Sequence, residues 1–180
     1  MKTLFVKYKL VIKFILTFLL VYVSFSLLYK FYLQLSDGSK YYPDFMTHLV
    51  AKQSKMLMSA FGYDVQMMPH PNEPSMKVLI ENNYVARIIE GCNSVSVIIL
   101  FFSFITAFAS NLKTTVFYIL SGSVLIYSVN LLRIVLLSIW IYHYPEQSDF
   151  LHTVVFPAII YGMVFFLWML WVNRFSRLKK

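Results

Sequence analysis

The sequence predicts an all-α multipass membrane protein, with about four transmembrane helices and a small extracytoplasmic segment made of an amphipathic helix and a β-hairpin. Three observations predict it. Apolar residues make up 59% of the 180 residues and charged residues only 13%, against roughly 45–50% and about a quarter in soluble domains. Four stretches approach or exceed the about 20 apolar residues that cross a bilayer. Charges of opposite sign are sorted between the connections that join those stretches. The formal charge of +8 does not point to nucleic acid, because the basic residues flank apolar runs, where lipid headgroups would meet them, rather than gather on one polar face.

The first stretch, residues 10–33, reads as an uncleaved anchor: its apolar core is too long for a signal peptide and no A-x-A-like site follows. The others are 93–110, 114–142 and 153–172. With a cytoplasmic N-terminus, the inside segments carry Lys2, Lys7, Lys9, Lys13, Lys113, Arg174, Arg177, Lys179 and Lys180 and no acid, while all 8 acids fall outside among the remaining basic residues. Short loops dense in Lys and Arg stay in the cytoplasm, so both termini are expected there. The chain divides into an anchor (1–33), an extracytoplasmic segment (34–91) and a three-helix membrane core with a basic tail (92–180).

Within 34–91, Phe45, Leu49, Met56, Leu57, Ala60 and Phe61 recur at helical spacing with Lys52 and Lys55 between them, the pattern of a helix lying on headgroups. "MMPHPNEPSM" follows, its three prolines expected to interrupt any regular element. "KVLIENNYVARIIEG" then gives two β-branched runs separated by Glu81-Asn82-Asn83, a hairpin signal. So few apolar positions in a segment this short are not expected to fold alone.

The only cysteine, Cys92, stands at the outer end of the second stretch. Asn93 and Ser94 are good N-cap types, which places the thiol near free N–H groups and the positive end of a helix dipole, where a thiolate is favoured. Simple packing of a lone cysteine is the plain alternative. Arg133, in "LIYSVNLLRIVLLSIW", interrupts an apolar run, which costs roughly 2.5–3.5 kcal/mol at a helix centre and marks a functional candidate. Counted from Thr114 it lies about 28 Å along the helix, at the level of Cys92. Asn130, three residues earlier on the same face, is a candidate to hold the guanidinium. A snorkelling arginine would explain that depth, but not the apolar residues 134–142 that follow. At about 43 Å the third stretch overshoots the bilayer, and either protrudes or breaks after Arg133. His152 immediately precedes the fourth stretch and so shares the same level. Glu90, Glu146 and Asp149 fall nearby, as solvated interfacial charges or as partners of His152. Pro157 and Gly162 are expected to bend the fourth stretch or open its packing.

A thiol, a guanidinium and an imidazole at one depth can perform acyl transfer. Histidine is the usual base for a cysteine nucleophile, and a fixed cation can stabilise an oxyanion. His48, His70 and His143 match no compact zinc spacing, so no metal and no cofactor are expected. The single cysteine excludes an internal disulfide.

These residues resemble the exosortase/archaeosortase family, most of all its short F-type branch. Cys92 opens a span after a hairpin, "NLLRI" at 130–134 fits an Asn-x-x-Arg signature, and His152 heads the last span before a basic tail. The resemblance covers about residues 75–175. It departs in one place: many members follow the cysteine with Ser or Ala and then Gly, where this chain has Cys92-Asn93-Ser94. The resemblance implies a membrane protein-sorting cysteine transpeptidase with Cys92, Arg133 and His152 as catalytic residues, supported by Asn130 and Asn93. Its substrates would be exported proteins ending in a recognition motif, a membrane helix and basic residues. Its acceptor, an amine or water, stays open. A membrane endopeptidase and a non-catalytic sorting scaffold are the alternatives. A transporter is disfavoured because no charged path crosses the core.

Overall fold

Residues 8–36, 40–109 and 111–175 are described by the computed structural model. In chain order they form α1 (Lys9–Ser36), α2 (Phe45–Ala60), strands β1 (Val65–Pro69), β2 (Ser75–Ile80) and β3 (Asn83–Ile89), a 3-10 turn (Glu90–Cys92), α3 (Val95–Ala107), α4 (Leu112–His143), a second short turn, a π-helical turn (Leu151–Val155) and α5 (Phe156–Arg174). The protein is a mostly helical multipass membrane protein. α1, α4 and the stretch Pro145–Arg174 are each long and apolar enough to cross a bilayer.

The apolar stretch expected at 93–110 is shorter than a full span. Helix α3 has 13 residues, about 20 Å, because Ser94 is left-handed at φ 65° and delays the helix to Val95, and the helix ends at Ala107. Helix α4 answers the question its length raised. It is unbroken over 32 residues, about 48 Å, longer than the about 30 Å hydrocarbon core of a bilayer. Ile134 and Val135, just past Arg133, join the core formed by α2 and the sheet, while Leu137 and Ile141 pack with Leu151 of the π turn.

Packing runs α1 on α3, α3 on α4 and α5, and α4 on α5. The start of α1 meets the end of α3, with Phe14 and Phe108 rings 4.2 Å apart. The end of α5 returns to the same place, where the Trp171 indole donates to the Phe108 carbonyl at 3.2 Å. The first and last helices therefore begin and end together, and the sheet stands at the opposite end of the bundle.

At the sheet end, β2 and β3 form the expected hairpin through a two-residue turn, Glu81 and Asn82, both left-handed at φ 50° and 65°. That is the turn geometry that matches strand twist. Glu81 is an unusual occupant, and its carboxylate is tied down by the Tyr142 hydroxyl at 2.6 Å. A third strand was not expected. β1 pairs with β2 in the order β1-β2-β3, so the prolines do not erase regular structure. Pro69 ends the edge strand, where a missing N–H costs no ladder bond, and Pro71 and Pro74 lie in the connecting loop. Helix α2 buries Thr47, Val50, Ala51, Ser54 and Met58, while Phe45, Met56 and Phe61 are exposed. It is thus a packed helix with a second apolar face turned outward, not a lone surface helix. A π turn precedes Pro157, which cannot donate to the preceding turn and whose ring crowds the carbonyl four residues back. Gly162 faces open space, whereas Gly122 is the close approach: a Cβ there would lie 2.4 Å from the Phe101 ring.

Candidate active site

Strand β3 delivers the chain to the head of α3, and the 3-10 turn between them carries Cys92 half-buried against the α2–sheet core. Two residues separate the thiol from α3. The cap is made by Asn93, whose Oδ1 accepts the Val95 N–H at 3.0 Å, while Ser94 donates its hydroxyl to the Asn93 carbonyl at 2.6 Å. The expectation that helix N–H groups stand free beside the sulfur is therefore corrected: that first N–H is spoken for, and Cys92 lies outside the helix in its own turn.

The positive charge at the thiol comes from Arg133. Its guanidinium lies within electrostatic reach of Cys92 and Tyr161. It also stacks over the Phe156 ring, 4.7 Å from the ring centre. The Nε donor is buried and has no hydrogen-bond partner among the described residues. Asn130 does not hold the guanidinium as its spacing suggested; it donates to the Cys92 carbonyl at 2.7 Å and so fixes the nucleophile's backbone instead. Of the two residues of the Asn-x-x-Arg pattern, one thus grips the main chain of Cys92 and the other brings a positive charge within electrostatic reach of it.

His152 sits exposed in the π turn, its ring 5.2 Å from that of Phe156. It makes no hydrogen bond to Cys92, Arg133 or any other described residue, and the Phe156 ring meets both the His152 ring and the Arg133 guanidinium. Glu146 and Asp149 are exposed and not bonded to it, and Glu90 lies beside Tyr29 of α1 instead. The other histidines are elsewhere: His143 pairs with Tyr63 at 3.0 Å, and His48 with the Tyr42 carbonyl at 3.3 Å. Among the described residues, no three His, Cys, Asp or Glu side chains converge as metal ligands would.

The Ser94 conformation settles the departure noted in the sequence. At φ 65° it occupies the left-handed region that glycine enters freely and other residues enter at a cost of about 1–2 kcal/mol. The turn after the cysteine is thus one that glycine suits, made here by a serine held in place by its neighbours.

A family model described as transmembrane exosortase (Exosortase_EpsH) matches residues 4–173. The chain belongs to the transmembrane exosortase family. The match takes in α1 and α2, so the exosortase likeness extends well beyond the 75–175 expected from motifs. No curated protein and no solved structure matches the chain. Within this exosortase, sequence reasoning missed Phe156, Tyr161 and Tyr29. Phe156 was within reach of a pattern argument, since it stands four residues after His152 on one helix face. Tyr29, a phenol in the last turns of an apolar run, gave only a weak signal.

Proposed function

We propose that the chain is a cysteine transpeptidase of the F-type exosortase branch, working at the extracytoplasmic face of the bacterial cytoplasmic membrane with Cys92, Arg133 and His152 as its catalytic residues. The observation that carries the reading is the Arg133 guanidinium, seated over the Phe156 ring and within electrostatic reach of Cys92, whose carbonyl Asn130 of the same helix holds. A cation there can pair with charge that develops on an attacked carbonyl. A substrate helix lying against the bundle would bring its scissile amide to this level, replacing a bimolecular encounter by a positioned one.

In the reaction, the Cys92 thiolate adds to the amide carbonyl and Arg133 stabilises the oxyanion. The C–N bond then breaks as His152, in its protonated form, gives a proton to the leaving amine. A thioester joins the substrate to Cys92. An acceptor amine attacks that thioester and loses a proton to His152, which returns the thiolate and releases the sorted product. Free of hydrogen bonds and exposed, the His152 ring is able to turn toward the sulfur once substrate separates it from Phe156. With water as acceptor the same residues would give an endopeptidase, and the product mass separates the two.

The test is co-expression with an exported protein carrying a motif, a membrane helix and a basic tail. Wild type should shift the substrate on a gel and Cys92→Ala should leave it uncut. Full processing by Cys92→Ala would end the proposal and favour a scaffold.

A further inference from the structure

The turn that follows Cys92 is held by side chains from both of the helices that precede it in sequence. Asn93 is fully buried, and its amide is satisfied at each end. Because the Val95 N–H can only donate, it must face Oδ1, and this fixes which way the amide points. Nδ2 then donates to the Tyr29 hydroxyl of α1 at 2.7 Å and to Thr47 Oγ1 of α2 at 3.2 Å. Thr47 is anchored in turn, its N–H donating to the capping carboxylate of Asp44 at 3.0 Å, and Tyr32 of α1 reaches the same carboxylate at 3.3 Å. On the opposite flank Asn130 grips the Cys92 carbonyl. The peptide joining Cys92 to Asn93 is therefore clamped from two sides, next to a left-handed serine that neighbours must hold in place.

We infer that Tyr29, acting with Thr47 through Asn93, is a positioning residue that keeps the Cys92 sulfur facing Arg133, which makes α1 a part of the reactive centre rather than only an anchor. The inference rests on the thiol chemistry proposed above. Without the Tyr29 hydroxyl, Asn93 keeps one acceptor, Ser94 is free to relax toward an ordinary backbone conformation, and the sulfur moves off the guanidinium. Turnover then falls although the substrate still docks.

The experiment uses the full chain in lipid vesicles, with two readouts: kcat and KM for a tail-bearing substrate, and the pH dependence of Cys92 alkylation by iodoacetamide. Tyr29→Phe should lower kcat by about tenfold, the weight of one hydrogen bond, leave KM within about twofold, and alter the pH profile of Cys92 alkylation. Adding Ser94→Gly to Tyr29→Phe should recover part of the lost kcat, because glycine holds the left-handed turn without help. Tyr22→Phe removes a phenol from the same helix away from the site and should change nothing. Thr47→Val carries the same expectation as Tyr29→Phe and replaces it if that variant does not accumulate. An unchanged kcat and alkylation profile in Tyr29→Phe and Thr47→Val, with Cys92→Ala inactive, would overturn the positioning role alone. Activity in Cys92→Ala would overturn the thiol reading beneath it.

Discussion

The two ends of the bundle are held together by different forces. At the end away from the sheet, rings pack on rings: Phe104 on Trp168 at 4.3 Å, Phe14 on Phe108 at 4.2 Å, Tyr118 on Trp171 at 4.8 Å. The Tyr118 hydroxyl and the Trp171 indole close this region by donating to the Leu167 and Phe108 carbonyls at 2.7 and 3.2 Å. At the sheet end, buried polar side chains lie near Cys92, among them Asn93, Asn130, Asp44 and Thr47, and the backbone is left-handed at Ser94. Lipid tails are as apolar as leucine, so helices in a bilayer gain little by hiding apolar surface and rely on close packing. Rings and a glycine supply that without fixing any single atom. Directional bonds do fix atoms, and they gather where the thiol must face one partner. The contrast implies that changes at the ring-packed end alter how much protein is folded, and changes at the sheet end alter what the folded protein does.

The sharpest way to break this contrast is Trp171→Ala. The residue is fully buried, and emptying its site should cost about 3–5 kcal/mol, read as a lower unfolding midpoint in detergent, while turnover per folded molecule holds. Arg133→Gln should do the reverse, lowering turnover by about 10²–10³-fold with the unfolding midpoint little changed. Arg133→Lys should not rescue it, since an ammonium lacks the planar face that lies on Phe156. Gly122→Ala drives a methyl to within 2.4 Å of the Phe101 ring and should destabilise by about 1–3 kcal/mol, again without a kinetic signature. The smallest effect belongs to Ser94→Gly, the exception at the sheet end because it relieves backbone strain and removes no bond to Cys92: it should raise stability by about 1 kcal/mol and keep processing at the wild-type rate. A drop in its turnover would show that the serine hydroxyl, and not only the turn, is needed at the site.

What could be read from the sequence was set by charge and depth. Arg133 and Cys92 were matched by counting residues from Thr114, and the guanidinium lies within electrostatic reach of Cys92. The hairpin was legible because Glu81 and Asn82 separate two β-branched runs. β1 was not, because its pairing with β2 is a tertiary choice and Met67 and Met68 carry no strand signal. The inner face of α2 was missed for a similar reason: Thr47, Ala51 and Ser54 look polar or neutral, yet small side chains are what let a helix sit close to α4 and the sheet. Asn130 was assigned the wrong partner because spacing gives the face of a helix but not what lies opposite it. His152 was expected beside Cys92, but counting along helices does not set lateral distance, and the ring it meets is that of Phe156.

One consequence follows from α4 being a single rod from Leu112 to His143. Its lower portion crosses the lipid and its upper portion is the floor on which the sheet rests, so the height of the sulfur above the basic turn is a property of the protein and not of the bilayer. In a thicker or thinner membrane the rod must tilt or the lipid must stretch, while, on the proposed transpeptidase reading, the bond of a bound tail that meets Cys92 stays the same. Reconstitution in lipids of increasing acyl length should therefore change the rate but leave the product the same size, and a product that lengthens with the lipid would contradict a rigid α4.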